Sequence, residues 1–148
     1  MEDSIYELET VKVRLRLREP RFSGMIKAPE DATRVLEPIF EGLDHDQEQL
    51  ILLALDTRHR VRGYKTVASG GMCSAAVDPR VLFRTALLMG AAAVIVAHNH
   101  PSGDPTPSRE DIVVYRRLAQ AGTTLGLEVL DMFTYGDGRT ESCARAAL

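Results

Sequence analysis

The segment AVIVAHNHPSGDPTPSREDI, residues 93–112, decides the fold of this chain. It begins as an apolar run with the composition of a buried strand and continues through a loop of prolines and small polar residues. Thr106 and Pro107 then show the pattern of a helix N-cap followed by proline in the first helical turn. A strand, a short loop and a helix in this order form the building unit of α/β proteins.

Length and composition limit the classes of protein to consider. The chain has 148 residues, 45% of them hydrophobic, which is enough for one domain with its own core. It has no apolar run of about 18 residues, so no membrane span is expected. The N-terminus MEDSIYELET lacks the basic start and apolar core of a secretion signal, which favours the cytoplasm. The net charge of -3 gives no global signature of nucleic-acid binding.

The sequence of the first half of the chain predicts one helix, with strands before and after it. The alternating segment VKVRLRLRE, residues 11–19, predicts a strand with one hydrated face. PEDATRVLEPIFEGL, residues 29–43, has helical spacing, and Pro38 is expected to bend that helix or end it early. EQLILLALD and VRGYKTVASGG predict two further strands joined by a turn. The hydrated face of the first strand would carry the only local basic patch: Lys12, Arg14, Arg16 and Arg18.

The second half alternates strands with helices. CSAAV, residues 73–77, is a short strand candidate, and Asp78-Pro79 predicts the start of a helix. The helix that follows Thr106-Pro107 is expected to end at Gly122. GLEVLDMFTYG, residues 126–136, predicts the last strand, followed by a polar tail.

This alternation predicts the α/β class, and specifically a single-domain α-β-α sandwich with a mixed β-sheet. The strand and helix of residues 1–44 are expected to pack on the same domain as residues 45–148.

A metal site is predicted where the apolar run of the opening segment ends. His98 and His100 are two residues apart, so their imidazoles can point to the same side of a strand. Asp111, in the first turn of the next helix, can turn its carboxylate back towards them, and Ser108 falls on the same face. Two nitrogens and one oxygen leave the fourth position of a tetrahedral zinc ion open, as in catalytic zinc sites. Zinc lowers the pKa of bound water to about 7.

Each of these residues also has an ordinary structural interpretation. An H-x-H string recurs by chance, an aspartate in a first helical turn interacts with the helix dipole, and a serine beside a proline caps a helix. Their ordered spacing at a strand end favours the metal site. The two cysteines, Cys73 and Cys143, form no C-x-x-C pair and are interpreted as free thiols.

The spacing from His98 through Asn99 and His100 to Ser108 and Asp111 matches H-x-H-x7-S-x2-D, the pattern of JAMM (MPN+) metalloproteases. The longer string HNHPSGDPTPSREDI resembles the RadC branch of that family, bacterial proteins described as DNA repair proteins. The similarity extends from about residue 48 to residue 136. It implies the JAB/MPN fold, whose general architecture is shared with cytidine deaminases.

The resemblance also implies a role for particular residues. His98, His100 and Asp111 match the ligands of one zinc ion, and Ser108 matches a serine that contacts the attacking water and the transition state. JAMM enzymes use a glutamate just ahead of an upstream strand as general acid and base, and Glu48 holds that place. Two rivals lie further from the strand: Glu41 and Asp44.

The function implied is hydrolysis of an amide bond in a peptide, isopeptide or protein tail by a zinc-bound water. The alternative is a DNA-repair-associated protein that binds nucleic acid or a partner. RadC proteins carry L-D-H in the last strand, where this chain has Met132, a departure expected to leave the metal site untouched. They also begin with a segment of the helix-hairpin-helix type, where this chain has about 45 residues of a different pattern, which counts against the alternative.

Two other classes of metal-dependent enzyme are excluded because the sequence does not match the spacing of their motifs. In the name of the HNH nucleases, the three letters stand for residues dispersed through a longer motif and not for three consecutive residues. The ββα pattern of that motif is absent from this sequence. Zinc nucleoside deaminases need H-x-E followed by P-C-x-x-C, which the positions of the two cysteines cannot supply.

Overall fold

The computed structural model describes residues 4–16, 24–70 and 77–148. Its helices and strands follow in chain order: α1 (Pro29–Glu41), β1 (Gln49–Leu55), β2 (Val61–Ser69), α2 (Pro79–Leu88), β3 (Ala93–Asn99), α3 (Arg109–Leu125), β4 (Glu128–Gly136), β5 (Arg139–Ser142) and α4 (Cys143–Ala146). None of the helices in the described ranges is long and apolar enough to cross a membrane.

The five described strands form one mixed sheet in the order β2-β1-β3-β4-β5. β3 is central, pairing antiparallel with β1 and parallel with β4. Both β1 and β3 are buried on both faces, which is why their sequences are continuous apolar runs rather than alternating ones. The register places Leu50 of β1 opposite His98 of β3, so the N-terminal end of β1 lies beside the last residues of β3. The predicted mixed sheet is confirmed.

Helices cover both faces of the sheet. Val94 and Val96 of β3 belong to a core shared with α2 and α3, whereas Ile95 and Ala97 belong to a second core shared with α1. This division follows from the period of two in a strand. The predicted α-β-α sandwich is therefore confirmed, and His98, on the same side as Val96, faces the layer that contains α3.

α1 passes through Pro38 and ends at Glu41, so the early end expected from the proline is not seen. Pro38 and the residue four positions earlier, Arg34, are both exposed, and water can solvate the carbonyl group that lacks a donor. The buried side chains of Leu36 and Phe40 hold the helix on the sheet. Glu37 of α1 also accepts a hydrogen bond from the backbone nitrogen of Thr140 in β5, at 3.0 Å.

The start and end of α3 differ from the sequence prediction. The N-cap is Ser108 rather than Thr106, because Ser108 accepts a hydrogen bond from a backbone nitrogen in the first turn. The helix also continues beyond Gly122 to Leu125. Gly122 is required for another reason: a β-carbon there would lie 2.2 Å from the carbonyl oxygen of Leu127.

The predicted N-terminal strand is wrong for the residues that the structure describes. Residues 4–16 are exposed and have no regular secondary structure, and a strand with one apolar face needs a partner to be stable. The predicted polar tail is also wrong, because β5 and α4 follow β4. Three predicted features lie outside the described residues: Arg18, Cys73 and most of the strand candidate at 73–77. The division of the chain at residues 44 and 45 stays a prediction.

Replacing Leu36 by alanine tests whether α1 belongs to the same folding unit as the sheet. Leu36 is 0% exposed, so Leu36→Ala should lower the free energy of unfolding by about 2–5 kcal/mol in a single denaturant transition. Leu87→Ala is the matched control, because Leu87 is 58% exposed in another helix. Equal stabilities of the two variants would show that α1 does not stabilise the domain.

Candidate metal centre

Two histidines and an aspartate meet where β3 ends and α3 begins. His98 is the penultimate residue of β3, His100 follows the strand, and Asp111 is the third residue of α3. Nε2 of His98 lies 2.8 Å from Oδ1 of Asp111, and Nε2 of His100 lies 3.0 Å from Oδ2 of the same carboxylate. One nitrogen or oxygen atom from each residue lies within 4.8 Å of the others, so the cluster could hold a metal ion.

A capping box holds Asp111 towards the histidines. Oγ of Ser108 accepts a hydrogen bond from the backbone nitrogen of Asp111 at 3.1 Å. The backbone nitrogen of Ser108 donates in return to Oδ2 of Asp111 at 2.8 Å. Ser108 and Asp111 are therefore the helix-terminal residues that an ordinary structural interpretation expects, and the same bonds direct the carboxylate at the imidazoles.

Hydrogen bonds and charges hold His100 in one orientation. Its Nδ1 lies 2.7 Å from the carbonyl oxygen of Asp104, which can only accept, so Nδ1 carries a proton and Nε2 is the atom directed at Asp111. The hydrogen bond with Asp111 raises the pKa of His100. Burial alone would raise the pKa of Asp111, but the hydrogen bond with His100 and the close approach and charge of His98 outweigh it and hold that pKa well below its usual range.

His98 supplies the observation that tests whether this cluster fits a metal. The residue is only 8% exposed, and its Nε2 has no hydrogen-bond partner among the described residues. The close oxygen of Asp111 is not aligned for a hydrogen bond with it. A buried imidazole nitrogen without a partner is costly unless it donates its lone pair to a cation. Together with the second imidazole and the carboxylate, it makes a donor set of the kind that zinc prefers.

The cluster lies in an open cleft of about 200 Å³. Glu48, which directly precedes β1, is half-buried and is close enough to raise the pKa of His100. Its backbone oxygen accepts a hydrogen bond from the nitrogen of Gly70 at 3.0 Å. The described residues that line the cleft are Glu48, Leu50, Val77, His98, His100, Ser108, Glu110, Asp111, Val114 and Met132.

The two rivals of Glu48 are placed elsewhere. Glu41 and Asp44 are exposed and are not among the lining residues of the cleft. Asp44 accepts a hydrogen bond from the backbone nitrogen of Asp46 at 2.9 Å, an interaction within its own turn. The structure thus brings Glu48 to the cleft with the two histidines, and its catalytic role stays a prediction.

Asn99 is a residue of the site that the sequence reasoning missed. It is 2% exposed and lies between the two histidines. Its Oδ1 accepts a hydrogen bond from the backbone nitrogen of Gln49 at 2.6 Å, and its Nδ2 donates to the backbone oxygen of Gln47 at 3.0 Å. One amide therefore holds the residues on both sides of Glu48. The signal in the sequence was a lone amide side chain at the end of an apolar strand.

Met132 occupies part of the cleft wall. It is 2% exposed and pairs with Val96 in the β3–β4 register. The side chain is not part of the ligand cluster, but it lines the cleft beside the candidate metal site, at the departure from the L-D-H pattern. Cys143 is a buried free thiol, and burial raises its pKa to about 12, so it stays protonated at neutral pH.

A mixed sheet between helices, with two histidines at the end of the central strand and an aspartate at the start of the next helix, defines a JAB-type domain. The comparison with protein families agrees, because the model of the RadC-like JAB domain matches residues 26–148. The chain belongs to the RadC-like JAB domain family.

Several UPF0758 proteins are similar to this chain in sequence. The chain is 44% identical over 119 residues to a UPF0758 protein of Desulforamulus reducens, an alignment that covers 80% of this chain and 51% of the relative. A UPF0758 protein of Moorella thermoacetica is 45% identical over 118 residues, with the same coverages. One of Methanosarcina mazei is 40% identical over 114 residues, covering 77% of this chain and 49% of the relative. The chain thus spans about half the length of these relatives.

Hydrogen exchange tests whether the side-chain amide of Asn99 accepts the hydrogen bond from the backbone of Gln49. Asn99→Ala removes the acceptor for the backbone N–H of Gln49, so that amide should exchange at least about tenfold faster, equivalent to about 1.4 kcal/mol of lost protection. Asn99→Asp keeps an acceptor oxygen and loses only the donor to Gln47, so Gln49 should stay protected in that control. Unchanged protection of Gln49 in the alanine variant would contradict the assigned hydrogen bond.

Proposed function

We propose that the protein is a zinc-dependent amide hydrolase, a peptidase or isopeptidase of the JAMM type. The observation that supports this most directly is the convergence of His98, His100 and Asp111 in an open cleft with the carboxylate of Glu48 on its wall. Two imidazoles and one carboxylate leave room for a further ligand, as in catalytic rather than structural zinc sites. A zinc ion held there supplies a Lewis acid that lowers the pKa of water and polarises a carbonyl group.

We assign the two proton transfers of the reaction, from the attacking water and to the leaving amine, to Glu48. Its carboxylate is half-buried and makes no hydrogen bond or ion pair with other described residues, so it is available to accept a proton from the attacking water. The same carboxyl group then delivers the proton to the nitrogen of the leaving amine. The Asn99 amide positions Glu48 by holding the backbone on both sides of it.

Ser108 is assigned the stabilisation of the developing oxyanion. Its Oγ already accepts a hydrogen bond from the backbone nitrogen of Asp111, and this bond fixes the position of the oxygen. The hydroxyl proton is not used in that bond and can be donated to substrate. A donor held in place before the reaction is worth more than one that must reorient during it.

The proposed substrate is a peptide or a protein tail. The cleft is open to solvent, and the apolar part of its wall can contact a substrate side chain next to the bond that is cleaved. The chain spans about half the length of the relatives that match, so the substrate of a full-length relative is a further proposal.

Elemental analysis of protein purified without chelators and supplied with zinc tests the metal centre. The wild type should contain about one zinc ion per chain, and His98→Ala and Asp111→Ala should lose it because each removes one of the three ligands. His59→Ala is the control, since His59 lies in the turn before β2 and is not part of the cluster. A wild type that stays metal-free under these conditions contradicts the proposal.

Glu48→Gln separates metal binding from catalysis. The variant should keep its zinc and lose hydrolysis of a panel of blocked peptides and isopeptides by about 10²- to 10⁴-fold in kcat, the usual contribution of a general base. Glu41→Gln makes the same change at the rival position outside the cleft and should retain wild-type rates. If both variants hydrolyse the panel at the wild-type rate, the proton transfers belong to another group.

A further inference from the structure

Among the described residues that line the cleft, one carboxylate has no part in the proposed reaction. Glu110 lines the cleft but is not part of the ligand cluster, and it makes no hydrogen bond or ion pair with other described residues. Acidic residues in a first helical turn often stabilise the helix through its dipole. That effect accounts for a carboxylate near the start of α3, but it does not require the side chain to line the cleft.

The helix places Glu110 beside an apolar surface. Glu110 is the second residue of α3 and is exposed, whereas the adjacent Asp111 is buried with the histidines. Val114 lies four residues after Glu110 and three after Asp111, so it belongs to the same side of the helix. Val114 and Met132, both 2% exposed, line the cleft along with Leu50 and Val77. An exposed carboxylate thus lies at the rim of the cleft, beside the apolar part of its wall.

The charges in the cleft favour a cation at the rim. The carboxylates of Asp111 and Glu48 would balance a divalent metal ion, and Glu110 then adds a net negative charge. No lysine or arginine is among the described residues that line the cleft. Arg117 donates to the carbonyl oxygen of Val77 at 3.2 Å, but Arg117 itself is not a lining residue. A positively charged group of the substrate would therefore meet an unneutralised carboxylate.

The size of the cleft indicates what carries that charge. Pockets that hold whole drug-sized molecules measure about 300–1,000 Å³. The volume of about 200 Å³ instead suits one side chain next to the bond that is cleaved. Lysine and arginine have an apolar stem and a charged end, and such side chains pack the stem on apolar surface while the charge stays near water.

We propose that Glu110 is a specificity residue that selects substrates with a lysine or arginine side chain next to the scissile amide. This inference rests on the proposed hydrolytic function. The stem of the substrate side chain packs against Val114 and Met132, and its ammonium or guanidinium group pairs with the carboxylate of Glu110.

Binding of short peptides to an inactive variant tests this proposal. The probes are blocked alanine pentapeptides whose central residue is lysine, norleucine or glutamate, titrated into zinc-loaded Glu48→Gln protein. Norleucine has an apolar stem like that of lysine but lacks the charge. The lysine peptide should bind about three- to fivefold more tightly than the norleucine peptide, as expected for an exposed ion pair, and high salt should reduce that ratio.

Adding a second substitution assigns the preference to Glu110. Glu110→Gln should abolish the preference for lysine, and Glu110→Lys should reverse it in favour of the glutamate peptide. Glu128→Gln is the matched control, because Glu128 begins β4 at the opposite end of the sheet and should leave the ratio unchanged. Equal affinity for lysine and norleucine, a preference that survives Glu110→Gln, or no binding of any peptide would each overturn the proposal.

Hydrolysis of the same peptides by the protein with Glu48 intact distinguishes this inference from the proposed function. A charge preference in binding without hydrolysis by the zinc-loaded wild type would count against the hydrolase and not against the role of Glu110 in binding. Hydrolysis of lysine and norleucine peptides with equal kcat/KM would count against Glu110 alone.

Discussion

The capping box between Ser108 and Asp111 is the interaction on which the candidate site depends. Its two hydrogen bonds determine where α3 begins, and they also direct the Asp111 carboxylate towards the histidines at the end of β3. A helix terminus needs partners for its free backbone N–H groups in any case. In this chain the groups that satisfy that need are also a proposed metal ligand and a proposed hydrogen-bond donor to substrate.

The sheet supplies the second constraint. β1 and β3 pair in a register that brings the start of β1 beside the end of β3, so Glu48 reaches the cleft from a position 50 residues before His98. Asn99 strengthens this arrangement because its amide bonds to the backbone on both sides of Glu48. The proposed ligands and the proposed general base are thus held together by one pair of strands. A change that shifts this register would separate them.

The parts of the structure that the sequence predicted are those that depend on local spacing. His98, His100 and Asp111 are separated by a strand end, a short loop and a first helical turn, so their proximity follows from the geometry of those elements. The apolar runs of β1 and β3 likewise predicted strands, and both are buried on both faces. The approach of Glu48 was predicted by resemblance to a family, because no local spacing relates it to the histidines.

The features that the sequence did not predict depend on contacts between distant segments. The glycine at position 122 predicted the end of a helix. A glycine is instead required there because the backbone of Leu127 approaches closely, which only the tertiary structure shows. The role of Asn99 depends on the pairing of β1 with β3, and an isolated amide carries no signal of its partner. The alternating residues of the N-terminal segment predicted a strand, but alternation does not supply the neighbouring strand that pairing requires.

X-ray absorption at the zinc edge tests whether His98, His100 and Asp111 bind the metal, because it reports the atoms bound to the metal in the intact protein. We expect the zinc ion to be bound by nitrogen and oxygen atoms only, at about 2.0–2.2 Å, with the scattering of two imidazole rings. Asp111→Asn should change that spectrum, because it alters the single carboxylate of the cluster. A sulfur atom at about 2.3 Å, as a cysteine ligand would give, or a spectrum without imidazole scattering would contradict the proposed metal site.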